Sequence, residues 1–148
     1  MRFYRGLQPF KVMSFDLDDT LYDNSHVIRL AEERFLQCVQ EHAQLNELTS
    51  EYWREWKWQL AEKDSLIAED VIAWRVETLR HLLAHHGKSA VEIDRTLALA
   101  MEEFIEWRHK IDVPAESIEV LNQLKDRYPL SVITNGNVIA TRIGFKHF

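Results

Sequence analysis

The sequence predicts an α/β fold in which two short strands, far apart in the chain, are separated by a helical insert. Three observations carry that prediction. An apolar run at 11–17 breaks into acidic residues, a stretch from about His26 to Lys110 has helical periodicity, and a second apolar run at 130–133 ends in a polar turn. The 148 residues, 46% hydrophobic and 28% charged, suffice for one domain or for a compact domain with an appended module.

Lys11–Leu17 is expected to form a short buried strand, because Val12, Met13, Phe15 and Leu17 make a mostly apolar run before Asp18-Asp19-Thr20. In the insert, Val27, Leu30, Ala31, Arg34 and Phe35 suggest one helical stripe, and Ile72, Val76, Leu79 and Leu83 another. Polar and breaker residues near Asn46–Ser50, Lys63–Ser65 and Gly87–Ser89 divide the insert into about four helices. Tyr52, Trp53, Trp56 and Trp58, with Trp74 and Trp107, lack the basic neighbours of a base-stacking surface, so their helical spacing assigns them to packing. After Asp112-Val113-Pro114 a helix is predicted with Ile118, Leu121 and Leu124 in amphipathic register, ending before Pro129. Leu130–Ile133 reads as the second strand. It terminates in Thr134-Asn135-Gly136-Asn137, and a further helix is expected to begin near Val138.

The net charge of −6 and the absence of a Lys/Arg run argue against a nucleic-acid partner, which needs cations to meet backbone phosphates. No stretch approaches the roughly 20 apolar residues of a membrane span, and Met1–Phe10 lacks the apolar core of a signal peptide. A cytoplasmic protein without membrane partners is therefore expected. The single cysteine, Cys38, lies among apolar neighbours and reads as a small buried thiol.

Side chains alternate along a strand, so Asp16 and Asp18 face one side while Leu17 faces the core. Two carboxylates then converge beyond a strand end, the place where parallel α/β sheets bind ligands. Such a pair repels itself unless a cation or a proton offsets the charge, and hard carboxylate oxygens suit Mg²⁺. Asp19, Thr20, Asp23 and Asn24 are assigned to turns, and His85 and His86, just before Gly87, to a helix end rather than to zinc. Arg75 and Arg108 remain open between reading an anionic or polar group of a ligand and pairing between helices.

Phe15-Asp16-Leu17-Asp18-Asp19-Thr20-Leu21-Tyr22 resembles the Asp-x-Asp-x-Thr signature of the haloacid dehalogenase superfamily, and Val132-Ile133-Thr134-Asn135-Gly136-Asn137 resembles its second motif. The resemblance implies an incomplete Rossmann-like core formed by 1–22 and 111–148, with a helical-bundle cap at 23–110. It implies a phosphatase acting on a small phosphorylated metabolite. Asp16 would be the nucleophile that forms an aspartyl-phosphate and a ligand of Mg²⁺. Asp18 would be the acid and base, holding the metal through its carbonyl. Thr134 and the amides of Asn135 and Gly136 would grip the phosphoryl oxygens. A dehalogenase is disfavoured, because Asp18 serves an oxygen leaving group. The run Met1-Arg2-Phe3-Tyr4-Arg5, Trp107-Arg108 and Ile111-Asp112-Val113-Pro114 are further similar to a group of bacterial phosphatases, which implies flavin mononucleotide and the ribitylamino-uracil phosphate of riboflavin synthesis as substrates.

The resemblance also implies a lysine and an acidic pair that do not occur before Phe148, so a C-terminally truncated and inactive chain is expected. Its bare sheet edges would be completed in a homo-oligomer or by domain swapping. The alternative is a catalytically dead fragment that serves as a binding or assembly module.

Overall fold

The computed structural model describes residues 9–136 and 138–148; the Met1–Arg5 run and Asn137 lie outside them. The chain divides into two compact units, 1–27 with 108–148 and 28–107. It is an α/β fold with a small parallel sheet and a helical insert.

In the first unit, strand β1 (Met13–Phe15) pairs in parallel with β2 (Leu130–Val132), in the register Met13↔Leu130 and Phe15↔Val132. Met13 N–H donates to Pro129 O (3.1 Å) and Ile133 N–H to Phe15 O (2.9 Å), so the ladder ends one residue beyond the paired triplets. The strand expected over 11–17 is thus shorter. Immediately after Asp16 the chain turns, with the N–H groups of Thr20 and Leu21 both reaching Leu17 O. Leu17, Leu21, Tyr22, Leu121, Val138, Ile143 and Phe145 form the core. Helix α5 (Ala115–Leu124) starts after Pro114, whose fixed φ suits that place, and contributes Leu121 to this core; the helix numbering counts from α1 of the insert. The helix expected from Val138 is instead a single 3-10 turn, Ala140–Ile143. β-branched residues at 138, 139, 141 and 143 weaken helix propensity, Val138 and Ile143 are drawn into the core, and Gly144 at φ +95 ends the turn.

The second unit draws on α1 (Ser25–Ala43), α2 (Ser50–Lys63), a 3-10 turn at Ser65–Glu69, α3 (Val71–His85) and α4 (Ala90–Arg108). Local signals fix the ends. Thr49 caps α2 by accepting from Tyr52 N–H, and Asp70 caps α3 by accepting from the N–H groups of Ile72 and Ala73. Ser89 and Glu92 bond reciprocally at the start of α4. Gly87, at φ +72, follows the end of α3.

The buried face of α1 carries Ala31, Phe35, Cys38 and Val39. The expected stripe was one position off at Arg34, which is exposed and lays its guanidinium 4.5 Å from the Trp107 ring centre. On α3, Leu79 and Leu83 are buried as expected, whereas Ile72 is exposed. Trp53 is buried, packs tilted against Phe35 with ring centres 5.2 Å apart and donates its indole N–H to Glu32 (2.8 Å), a packing role, while Trp58 is exposed against Trp74. Arg75 is buried in this unit, 3.7 Å over the Phe104 ring and 3.8 Å from Glu32. His86 caps α3 and meets the Tyr52 hydroxyl at 3.2 Å. Burial pushes the Cys38 thiol above its ordinary pKa. No helix among the described residues is long and apolar enough to cross a membrane.

Candidate active site

Asp16 directly follows β1 and is exposed, Leu17 is 1% exposed in the core, and Asp18 is partly exposed, so the alternation expected of the acidic pair is present. Because the strands are parallel, Asp16 and Thr134 both leave the same end of the sheet. Asp19 then takes φ +58, a left-handed conformation open mainly to Gly, Asn and Asp, and its Oδ1 accepts the Asn24 N–H at 2.8 Å. Asp23 closes the loop onto α1. Its carboxylate accepts from the Ser25 hydroxyl and N–H, which hold its pKa below the usual range.

The second motif meets the first at Asp18. A Cβ placed on Gly136 would lie 2.8 Å from Asp18 Oδ2 and 3.4 Å from Thr134 Oγ1, so glycine is required by close approach. Gly136 N–H donates to Thr134 Oγ1 (3.1 Å), and Asn135 is exposed beside them. The Ile139 N–H donates to His109 Nε2 (3.1 Å), tying the far side of the loop.

Two residues at this site, Tyr22 and Arg108, carried no assigned role in the sequence. The Tyr22 hydroxyl donates to Asp18 Oδ1 at 2.6 Å, and burial followed by the Asp18 carboxylate raises its pKa, keeping it a donor. Arg108, 2% exposed at the end of α4, donates from Nη2 to Asp18 Oδ2 (3.0 Å) and from Nη1 to Asn24 Oδ1 (2.6 Å). Tyr22 falls at Asp18+4 and was legible only as part of the motif. Arg108, left open in the sequence between reading a ligand group and pairing between helices, is 90 positions away from Asp18, and only the fold shows that partner.

That guanidinium changes the charge argument at the acidic pair. The offsetting cation need not be a metal for Asp18, since Arg108 already faces it, and both its side-chain oxygens have donors. Among the described residues no group of three or more His, Cys, Asp or Glu is arranged to hold a metal ion. What fits Mg²⁺ is narrower: the exposed Asp16 carboxylate and the Asp18 main-chain carbonyl are hard oxygens, and Mg²⁺ commonly takes one or two protein oxygens and completes its shell with water and substrate phosphate.

A sequence model of the haloacid dehalogenase-like hydrolases matches residues 10–148. The 5-amino-6-(5-phospho-D-ribitylamino)uracil phosphatase YigB of Escherichia coli (strain K12) is 39% identical over 138 residues, covering 93% of this chain and 58% of that protein. The crystal structure of 2-haloacid dehalogenase from Pseudomonas syringae pv. Tomato DC3000 superimposes with a TM-score of 0.85 at 30% identity, over 95% of this chain and 62% of that one. The chain therefore spans about six-tenths of the length of either relative.

Proposed function

Because the chain belongs to the haloacid dehalogenase-like hydrolase family, we propose that it carries the nucleophile half of a magnesium-dependent phosphomonoester hydrolase. The observation that carries the reading is that the Asp18 carboxylate, two residues beyond Asp16 at the sheet's end, and the Thr134 hydroxyl both flank Gly136.

In this reading the Asp16 carboxylate attacks phosphorus, the bond to the leaving oxygen breaks, and an aspartyl-phosphate forms. Asp18, in its acid form, gives its proton to that oxygen. As a carboxylate it then takes a proton from the water that cleaves the acyl phosphate. The Thr134 hydroxyl and the N–H groups of Asn135 and Gly136 hold the phosphoryl oxygens as charge shifts among them. Mg²⁺, held by Asp16 and the Asp18 carbonyl, would offset the charge on those oxygens. An alkoxide leaves poorly without a proton whereas a halide needs none, so Asp18 favours phosphate esters over haloacids. The name of the Escherichia coli relative supports the ribitylamino-uracil phosphate as a candidate substrate, and flavin mononucleotide, implied by the motif resemblance, is the second candidate. The insert at 23–110 would act as the cap over such a substrate, in a cytoplasmic setting.

The assay is hydrolysis of 4-nitrophenyl phosphate with Mg²⁺ by this chain, by a C-terminally longer form matching the length of the Escherichia coli relative, and by the Asp16→Asn variant of that longer form. The expected result is activity only in the longer form and none in its variant; full activity in the variant would falsify the nucleophile assignment. A second reading, a catalytically dead binding or assembly module, draws on the occupation of both Asp18 oxygens and on exposed Val12 and Ile133 beside the strand pair. It expects no hydrolysis and a homo-oligomer or domain swap through the sheet edges, and a monomer on sedimentation counts against it.

A further inference from the structure

We infer that Arg108, Asn24 and Tyr22 act together as a positioning clamp that fixes the orientation of the Asp18 carboxylate. The inference rests on the reading of Asp18 as the proton donor and goes beyond it by assigning three further residues.

The bonds form a closed circuit. Tyr22 holds Asp18 Oδ1 and Arg108 holds Oδ2, so the carboxylate is gripped at both oxygens and its plane is set. Arg108 is itself oriented by Asn24, whose Oδ1 accepts from Nη1. The Asn24 N–H in turn donates to Asp19 Oδ1, which returns the circuit to the residue after Asp18. Gly136 admits the carboxylate on the remaining side, where any side-chain carbon would lie 2.8 Å from Oδ2.

Two features separate this role from substrate binding and from ordinary surface pairing. The Arg108 side chain is only 3% exposed, and its Nε is buried with no hydrogen-bond partner among the described residues. Nη1 donates to Asn24 and Nη2 to Asp18, and at this burial little of the guanidinium is open to a ligand. A buried cation with an unsatisfied donor is costly, and here its bonds go to Asp18 and to the residue that aims it. Arg108 and Tyr22 are therefore positioning residues that act through Asp18.

The test exploits the leaving group. A misplaced acid matters most when the departing oxygen is basic, so kcat and KM are measured for phenyl phosphate, whose phenol has a pKa of about 10, and for 4-nitrophenyl phosphate, a much better leaving group. Tyr22→Phe keeps the buried ring and removes only the hydroxyl, and Arg108→Lys keeps the charge while losing the two-pronged grip. Each is expected to lower kcat about tenfold or more on phenyl phosphate and less than about threefold on 4-nitrophenyl phosphate, with KM little changed. Equal losses on both esters, or no loss, overturn the clamp, because a general folding defect does not discriminate between leaving groups. If Arg108→Lys fails to fold, Tyr22→Phe and Asn24→Ala carry the same comparison. Asp18→Asn is the control for the underlying reading. These rates are taken on the C-terminally longer form. If Asp18→Asn shows no leaving-group dependence there, or if the unaltered longer form hydrolyses neither ester, the reading of Asp18 as the proton donor fails, independently of how the clamp variants behave.

Discussion

Substituting Gly136 by alanine probes the contact on which the site depends. The added Cβ would sit 2.8 Å from Asp18 Oδ2, about 0.6 Å inside the 3.4 Å at which ordinary contact begins. The end of a flexible carboxylate would normally yield at little cost. This one is held by Arg108 at 3.0 Å and by Tyr22 at 2.6 Å, so relief requires breaking a charged hydrogen bond or shifting the 134–136 loop. Either route costs about 1.5–3 kcal/mol. All five tryptophans lie within 28–107, so fluorescence reports on the other unit. The informative probe is exchange of the Ile133 amide, which bonds to Phe15 O in the strand ladder. Its protection should fall by the stated amount. In an Asp18→Ala background the 2.8 Å contact is gone, and Gly136→Ala should then be neutral or stabilise by about 0.4–1 kcal/mol, since Gly136 has no left-handed φ to preserve. An equal cost in both backgrounds, or unchanged Ile133 exchange in the first, refutes the reasoning.

Phe35→Ala removes a fully buried ring that contacts Trp53 and Phe104, and should destabilise the helical unit by about 3–5 kcal/mol in urea melts followed by tryptophan fluorescence. Asp70→Ala deletes the acceptor for two N–H groups at the start of α3 and should cost about 0.5–2 kcal/mol by the same measurement. The lowered pKa of Asp23, set first by the Ser25 hydroxyl, gives stability that is present above the ordinary carboxylate pKa and is lost as pH falls through the lowered folded value. Asp23→Asn should therefore lower Tm in the neutral region and converge with the unaltered protein in acid, so that the acid limb of a plot of Tm against pH flattens.

Much of this architecture was legible because its causes are local. Breakers at Gly87–Ser89 and caps such as Thr49 and Asp70 act over two or three residues, and the helix boundaries fall where they predict. The relation of Asp16 to Asp18 was legible for the same reason, from strand alternation. What the sequence obscured depends on partners far along the chain. The strand at 11–17 is trimmed because β2 pairs with only three of its residues. The segment after Val138 is apolar enough for a helix, yet its β-branched residues yield to burial in the core. Arg108 ends a helix as many arginines do, and nothing near it in sequence distinguishes it from a surface residue. Only the fold brings it to Asp18, where its guanidinium lies 3.0 Å from that carboxylate.

The strand pair joins Ser14 to a residue 117 positions later, whereas the helix caps close over a few residues. Closing so long a span carries an entropic toll that must be met before the ladder gives anything back. The strand pair is therefore the last thing made: helices should acquire pulse-labelled amide protection before Ile133 does. A newly made chain would thus hold the acids of its first motif early and meet the Thr134–Gly136 turn that flanks Asp18 late.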